Sequence, residues 1–265
     1  MTDLYSTLPT NFQPAANFLE GRVILVTGAG QPQSLGHTAA MAFAAHGATV
    51  ILHGRNIPKL EAVYDEIEAL GYPQPAIMPL DFLTAAQADL DGFAETIRAT
   101  FGRLDGIFHG ASHFSPLMPM GSQDLDVWQK HLAVNLAVPV ALTKACLQIL
   151  KRSASAAVIF LSETHAANPT AFWGAFATSK AALHSVAEIW SAEMTAAEQV
   201  RFHVCIPGPV ASPLRSKSHP GELMASLPLA VTLATFFIFD GIEGPDCNAL
   251  LSVHTLISDW HLSRA

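Results

Sequence analysis

Arg22-Val-Ile-Leu-Val-Thr27, followed by Gly28-Ala-Gly-Gln-Pro-Gln-Ser-Leu-Gly36, is the stretch that decides the fold. An apolar run this short, rich in β-branched residues and closed by glycine, reads as a buried strand. A glycine-containing turn leads from it into a helix expected over roughly Ser34 to His46. Strand, glycine turn and helix in that order make a pyrophosphate site. The glycines let backbone approach the phosphates, and the helix N-terminus supplies N–H groups and the positive end of its dipole. Gly28, Gly30, Ser34, Leu35 and Gly36 are the candidates for that cradle.

Outward from this unit the chain alternates strand and helix with short connections, the pattern of a doubly wound parallel α/β sheet of about seven strands. Strands are expected at Ala48–His53, Ala76–Leu80, Leu104–His109, Ala156–Leu161, Val200–Ile206 and Asn248–Val253. Helices are expected at Ile57–Leu70, Ala85–Phe101, Leu125–Leu150 (bent at Pro139), Ala171–Ala197 and in the apolar run after Leu223. No repeat, low-complexity tract or linker interrupts the order. A Rossmann-type single domain over residues 21–265, behind a short extension at 1–20, is the expected organisation.

Composition narrows the function. Half of the 265 residues are hydrophobic, and the formal net charge is −8. No Lys/Arg run resembles a phosphate-backbone footprint, which argues against a nucleic-acid partner. Cys146, Cys205 and Cys247 are too far apart for a Cys-x-x-Cys zinc site or a disulfide framework, and they fit buried thiols in a reducing cytoplasm. The N-terminus lacks the layout of a secretory signal. The uncharged run from Leu223 to Phe239 is short for a membrane span and carries Ser226, Pro228, Thr232 and Thr235, so a buried helix is expected there instead.

The end of the second strand bears on the cofactor. An NAD site wants an acid there to accept from the ribose 2′-OH. This chain has His53-Gly54-Arg55-Asn56, with Gly54 where the acid would sit and a guanidinium next to it. That arrangement suits a 2′-phosphate, and NADP(H) is favoured over NAD(H).

From Gly21 to Val253 the order and spacing of these segments resemble the short-chain dehydrogenase/reductase family. The glycine turn resembles that family's Thr-Gly-x-x-x-Gly-x-Gly, two residues longer and with Ser34 for the middle glycine; a similar lengthened turn occurs in related enoyl reductases. The resemblance implies that Asp81-Phe82 lies near the adenine. His109-Gly110-Ala111-Ser112 matches Asn-Asn-Ala-Gly, keeping Ala111 alone. Asn135 matches the asparagine whose backbone holds a water that relays protons from a lysine. Pro207, Gly208 and Val210 match the turn that closes over the nicotinamide, and Ser212 the hydroxyl residue beyond it. Ser212–Ser226 would be the substrate lid, where Lys217 and His219 could meet an acidic ligand but read first as solvated surface. The helices from Leu125 and Ala171 would build an oligomer interface, with a second copy or with a relative.

The decisive family motif is Tyr-x-x-x-Lys, with a serine thirteen residues before the tyrosine. A four-residue step puts both side chains on one helix face. The lysine lowers the phenol's pKa for proton exchange with substrate. In this chain the run Ala-Phe-Ala-Thr-Ser-Lys-Ala-Ala sets the register: Lys180 is present, Phe176 stands for the tyrosine and Glu163 for the serine. The chain's tyrosines, Tyr5, Tyr64 and Tyr72, all fall in the cofactor half or the extension. A Glu163–Lys180 salt bridge filling the site is the expected consequence. Ser162 should point the opposite way along its strand, and His109 and His165 are possible pocket neighbours.

Three functions follow. One is a silent or weak NADP(H)-binding protein, acting as a sensor or as the degenerate partner of an active relative. The second is an oxidoreductase of a carbonyl or alcohol using Glu163 or His165 as proton donor. The third is elimination or isomerisation with Glu163 as base. The sequence names no substrate.

Overall fold

The computed structural model describes residues 14–195, 198–230 and 250–252. Seven parallel strands form one sheet in the order β3-β2-β1-β4-β5-β6-β7. They are β1 Val23–Thr27, β2 Thr49–Gly54, β3 Ala76–Pro79, β4 Gly106–His109, β5 Ala156–Leu161, β6 Val200–Ile206 and β7 Leu250–Ser252. β1, β4 and β5 are buried along their whole length. Continuous apolar strands are what a sheet covered on both faces requires. Alternate residues serve the two faces. Ile24 and Val26 pack with α1 (Leu35–Ala45) and α2 (Ile57–Ala69), whereas Val23 and Leu25 pack with α3 (Gln87–Phe101) and the helices that follow.

Local chemistry explains the helix starts. Ser34 caps α1 by accepting from His37 N–H at 3.1 Å, and Asn56 caps α2 by accepting from Lys59 N–H at 3.0 Å. Leu60, Val63 and Ile67 then place one apolar stripe of α2 on the sheet.

Several expectations are corrected. The helix expected over Leu125–Leu150 is α4 (Leu125–Leu132), a π turn (Ala133–Ala137) and α5 (Val138–Leu150). The irregularity lies before Pro139. Proline has no N–H for the carbonyl four residues back, and that carbonyl belongs to Asn135. Together these segments are long and apolar enough to cross a membrane. Yet Leu142, Cys146, Ile149 and Leu150 are buried in the core beside α3 residues. The next long helix is shorter than expected: a single turn, α6 (Thr164–Ala167), precedes α7 (Gly174–Glu193). Leu19, expected in an extension, is buried, and its N–H bonds His46 O at 2.8 Å, so the fold begins before residue 21. After Leu223 there is a 3-10 turn at Met224–Ser226 and no α-helix up to residue 230; the rest of that run lies outside the described residues. Cys146 and Cys205 are buried, and burial pushes the Cys146 thiol up to about 12, an inert group; Cys247 lies outside the described residues.

Three buried histidines cross the sheet. His53 stacks on Phe82 at 4.3 Å, and His109 stacks on Phe160 at 5.1 Å and bonds Thr143 Oγ1 at 2.8 Å. Burial lowers His53 to about 4, His109 to about 3 and His203 to about 3. The unfolded chain takes up protons on these groups below about pH 6.5 while the folded chain does not. Stability should therefore fall as pH drops from about 6.5 toward 4, each histidine contributing up to about 1.4 kcal/mol per pH unit. Urea unfolding across that range checks this, and a flat profile would contradict it.

Candidate active site

The strand order reverses between β1 and β4, and a crevice opens at their carboxyl ends, where doubly wound sheets bind ligands. Its floor is a contact among three glycines. Gly28 has φ +74°, and a Cβ there would lie 2.7 Å from Ala111 N. A Cβ on Gly36 would lie 2.5 Å from Gly28 O, and one on Gly110 2.8 Å from Thr27 O. Real Cβ atoms do not approach backbone so closely, so glycine is obligatory at all three positions. Thr27 Oγ1 adds a latch, accepting from Ala111 N–H at 3.1 Å.

The cleft encloses about 610 Å³. Gly28, Gly30, Ser34, Leu35, Arg55, Asp81, Phe82, Ala111, Lys180, Pro207, Gly208, Val210 and Ser212 all line it, as do Glu163 and Phe176. Gly36 and Asn135 do not: Gly36 serves the glycine contact, and Asn135 is fully buried behind the wall. In the lengthened turn, Gln33 takes the left-handed conformation (φ 60°), and Lys59 Nζ donates to Gln31 Oε1 at 2.7 Å. Lys59 also lines the cleft. It was not among the residues expected from the sequence, although it lies only four positions after Arg55, in the first turn of α2. At this end Asp81 Oδ1 accepts from Leu83 N–H at 3.0 Å and turns Phe82 onto His53.

At the other end Lys180 is buried, and its Nζ donates to Leu161 O at 2.7 Å. Burial lowers it to about 8, partly opposed by the charge of Glu163. The expected Glu163–Lys180 salt bridge is absent. Glu163 instead sits at the start of α6, where its carboxylate accepts from His165 N–H at 2.5 Å and meets His165 Nδ1 at 3.0 Å. Local geometry wins because a carboxylate at a helix start finds N–H groups two residues on. His165 does not line the cleft; it stacks on Trp173 at 3.8 Å. His109 is turned into the core toward Thr143. Ser162, just beyond β5, also lines the cleft, and its Oγ is engaged by His184 Nε2 at 2.8 Å.

Phe176 is one turn before Lys180 and packs edge-on against Phe114 at 5.1 Å. Trp173 lies 6.0 Å from Phe176. Together with Leu214 of α8 (Pro213–Ser218) these residues make an apolar wall that sequence reasoning missed, because its members come from three separate loops and helices. His219 was expected on solvated surface but lies 5.6 Å from Trp173. Asn135 joins the layers behind: its Oδ1 accepts from His113 N–H at 2.7 Å, and its Nδ2 donates to Ser179 Oγ at 3.1 Å. Ser212 caps α8 by accepting from Arg215 N–H at 3.2 Å, and Arg215 forms a two-point ion pair with Glu222.

A glycine-floored crevice at the reversal point of a parallel sheet, with a buried lysine one turn beyond an aromatic position, defines a dinucleotide-type oxidoreductase fold. The chain belongs to the short chain dehydrogenase family, whose model matches residues 22–223. It is 34% identical over 212 residues to the uncharacterized oxidoreductase YciK of Escherichia coli strain K12, spanning 80% of this chain and 82% of that one. Among solved structures, a short chain dehydrogenase from Pseudomonas syringae superposes with a TM-score of 0.86 at 32% identity, covering 91% of this chain and 98% of that one. One from Escherichia coli CFT073, complexed with NADPH, gives 0.85 at 32% identity, covering 90% and 99%. One from Shigella flexneri 2a, complexed with NADP, gives 0.83 at 30%, covering 90% and 98%.

Gly36→Ala drives a methyl into the Gly28 carbonyl. It should lower unfolding free energy by about 1–3 kcal/mol or more, the cost of overpacking. Urea unfolding measures this, and an undiminished midpoint would contradict the contact.

Proposed function

We propose that the chain is an NADP(H)-binding member of the family that is silent or weak as a carbonyl reductase, serving as a cofactor sensor or as the degenerate partner of an active relative. The observation that carries this is Phe176, one turn before Lys180 and sealed among Phe114, Trp173 and Leu214. Phenylalanine has no exchangeable proton, and losing one general acid costs about 10²–10⁴ in rate. Glu163 does not replace it. The carboxylate is engaged as an acceptor by His165, and a negative charge there opposes the one that grows on a substrate oxygen.

The cofactor half supports the dinucleotide. Ser34 Oγ uses a lone pair on His37 N–H, which leaves its own proton to donate toward the cleft. Arg55 follows β2 and Lys59 sits in the first turn of α2; the cleft wall there has no acid before Asp81, so a 2′-phosphate is favoured. The NADP and NADPH complexes of the two relatives agree with that preference. The glycine floor, Ser34 and Arg55 would hold the nucleotide, and Lys180 with the Pro207-Gly208 turn would hold its nicotinamide end. When bound, the group supplies hydride-transfer chemistry. Exposed Leu125 and Ile189, on α4 and α7, support an oligomer built on those helices.

The double substitution Glu163→Ser with Phe176→Tyr tests this. It should raise NADPH-dependent turnover of small ketones and aldehydes by about 10²–10⁴. A parent protein that already turns them over as fast as the double variant would contradict the proposal. A collapse of that parent activity in Glu163→Gln would point to Glu163 as the proton donor instead.

A further inference from the structure

Phe114, Trp173 and Phe176 are mutually close, with ring centroids 5.1 Å, 6.0 Å and 6.3 Å apart, and all three line the cleft. Glu163 lines the same end and keeps its carboxylate partly exposed, with 15% of the side-chain surface accessible. A carboxylate offers about four lone-pair sites, and the contacts with His165 N–H and Nδ1 leave acceptor capacity over. Two nearby cations are engaged: Lys180 Nζ donates to Leu161 O, and Arg215 is paired with Glu222. Lys217 of α8 also lines the cleft, with its side chain exposed to solvent.

We propose that this end of the cleft binds an organic cation, an ammonium or iminium ion carried on an apolar body, with Glu163 as its counter-ion and the three rings as its wall. Aromatic faces attract cations through their quadrupole, more strongly where water is excluded. The same wall disfavours ligands that gain negative charge, because that charge would face the Glu163 carboxylate. A cationic ligand also asks no proton of position 176, which has none to give. Glu163 is therefore the specificity-determining residue, and Phe176 extends the wall. The inference deepens the proposed function and rests on its reading of Glu163 and Phe176.

The test is isothermal titration calorimetry of the full chain with N-methylquinolinium and with its neutral isostere 1-methylnaphthalene, in the absence and presence of NADPH. The cation should bind at least about tenfold more tightly, equivalent to about 1.4 kcal/mol. Glu163→Gln should reduce that ratio to near one. Equal or tighter binding of the neutral compound to the parent protein overturns the inference, whether or not the variant folds, and so does a ratio unchanged in a folded Glu163→Gln. NADPH is titrated into the same protein. NADPH binding without cation preference defeats this inference alone, whereas cation preference without NADPH binding defeats the cofactor assignment alone.

Discussion

Three backbones meet at the carboxyl ends of β1 and β4, and they meet only because Gly28, Gly36 and Gly110 lack a Cβ. This contact sets α1 against the sheet, holds the turn that Ser34 caps, and keeps the loop after β4 beside it. Thr27 Oγ1 adds its latch to Ala111 N–H. The near half of the crevice is placed by this junction. Overpacking at any of the three positions would displace an element rather than a side chain.

The far half of the crevice is organised from behind. Pro139 withdraws the ordinary helical donor from the Asn135 carbonyl, and the π turn lies directly before it. The Asn135 side chain ties the loop at His113 to Ser179 of α7, and Ser179 Oγ donates in turn to Phe176 O at 2.8 Å. The helix that presents Phe176 and Lys180 is thereby pinned in register. Lys180 keeps a buried position and a pKa lowered to about 8. The hydrogen-bonded support behind Lys180 is therefore in place, and the position one turn before it carries a hydrocarbon ring. Support and chemistry are separable because they reside on different residues.

Much of the fold was legible because buried parallel strands must be apolar on both faces. The strands Ala156–Leu161 and Val200–Ile206 match the sequence pattern residue for residue. The glycine-lined half of the crevice was legible for a related reason, since glycine turns and strand ends are set by local sequence. Contacts that join distant segments were not legible. The Phe114–Trp173–Phe176 wall draws on a loop and a helix about sixty residues apart, and no local period announces it. Glu163 was expected at the strand end beside Lys180; it lies two residues past β5, at the start of α6, with a different partner. The nearest N–H groups, on His165, outcompete a lysine whose amine is already held by Leu161 O. The break in the long helix was visible at Pro139, but its effect falls on the preceding turn.

The proposed function, a nucleotide pocket kept without the family's usual proton donor, makes a direct demand on binding. Titrating the purified full chain with NADPH and with NADH, followed by nucleotide fluorescence, tests it most directly. Saturable NADPH binding, clearly tighter than that of NADH, is the predicted result. Binding of neither nucleotide, or tighter binding of NADH, would contradict it.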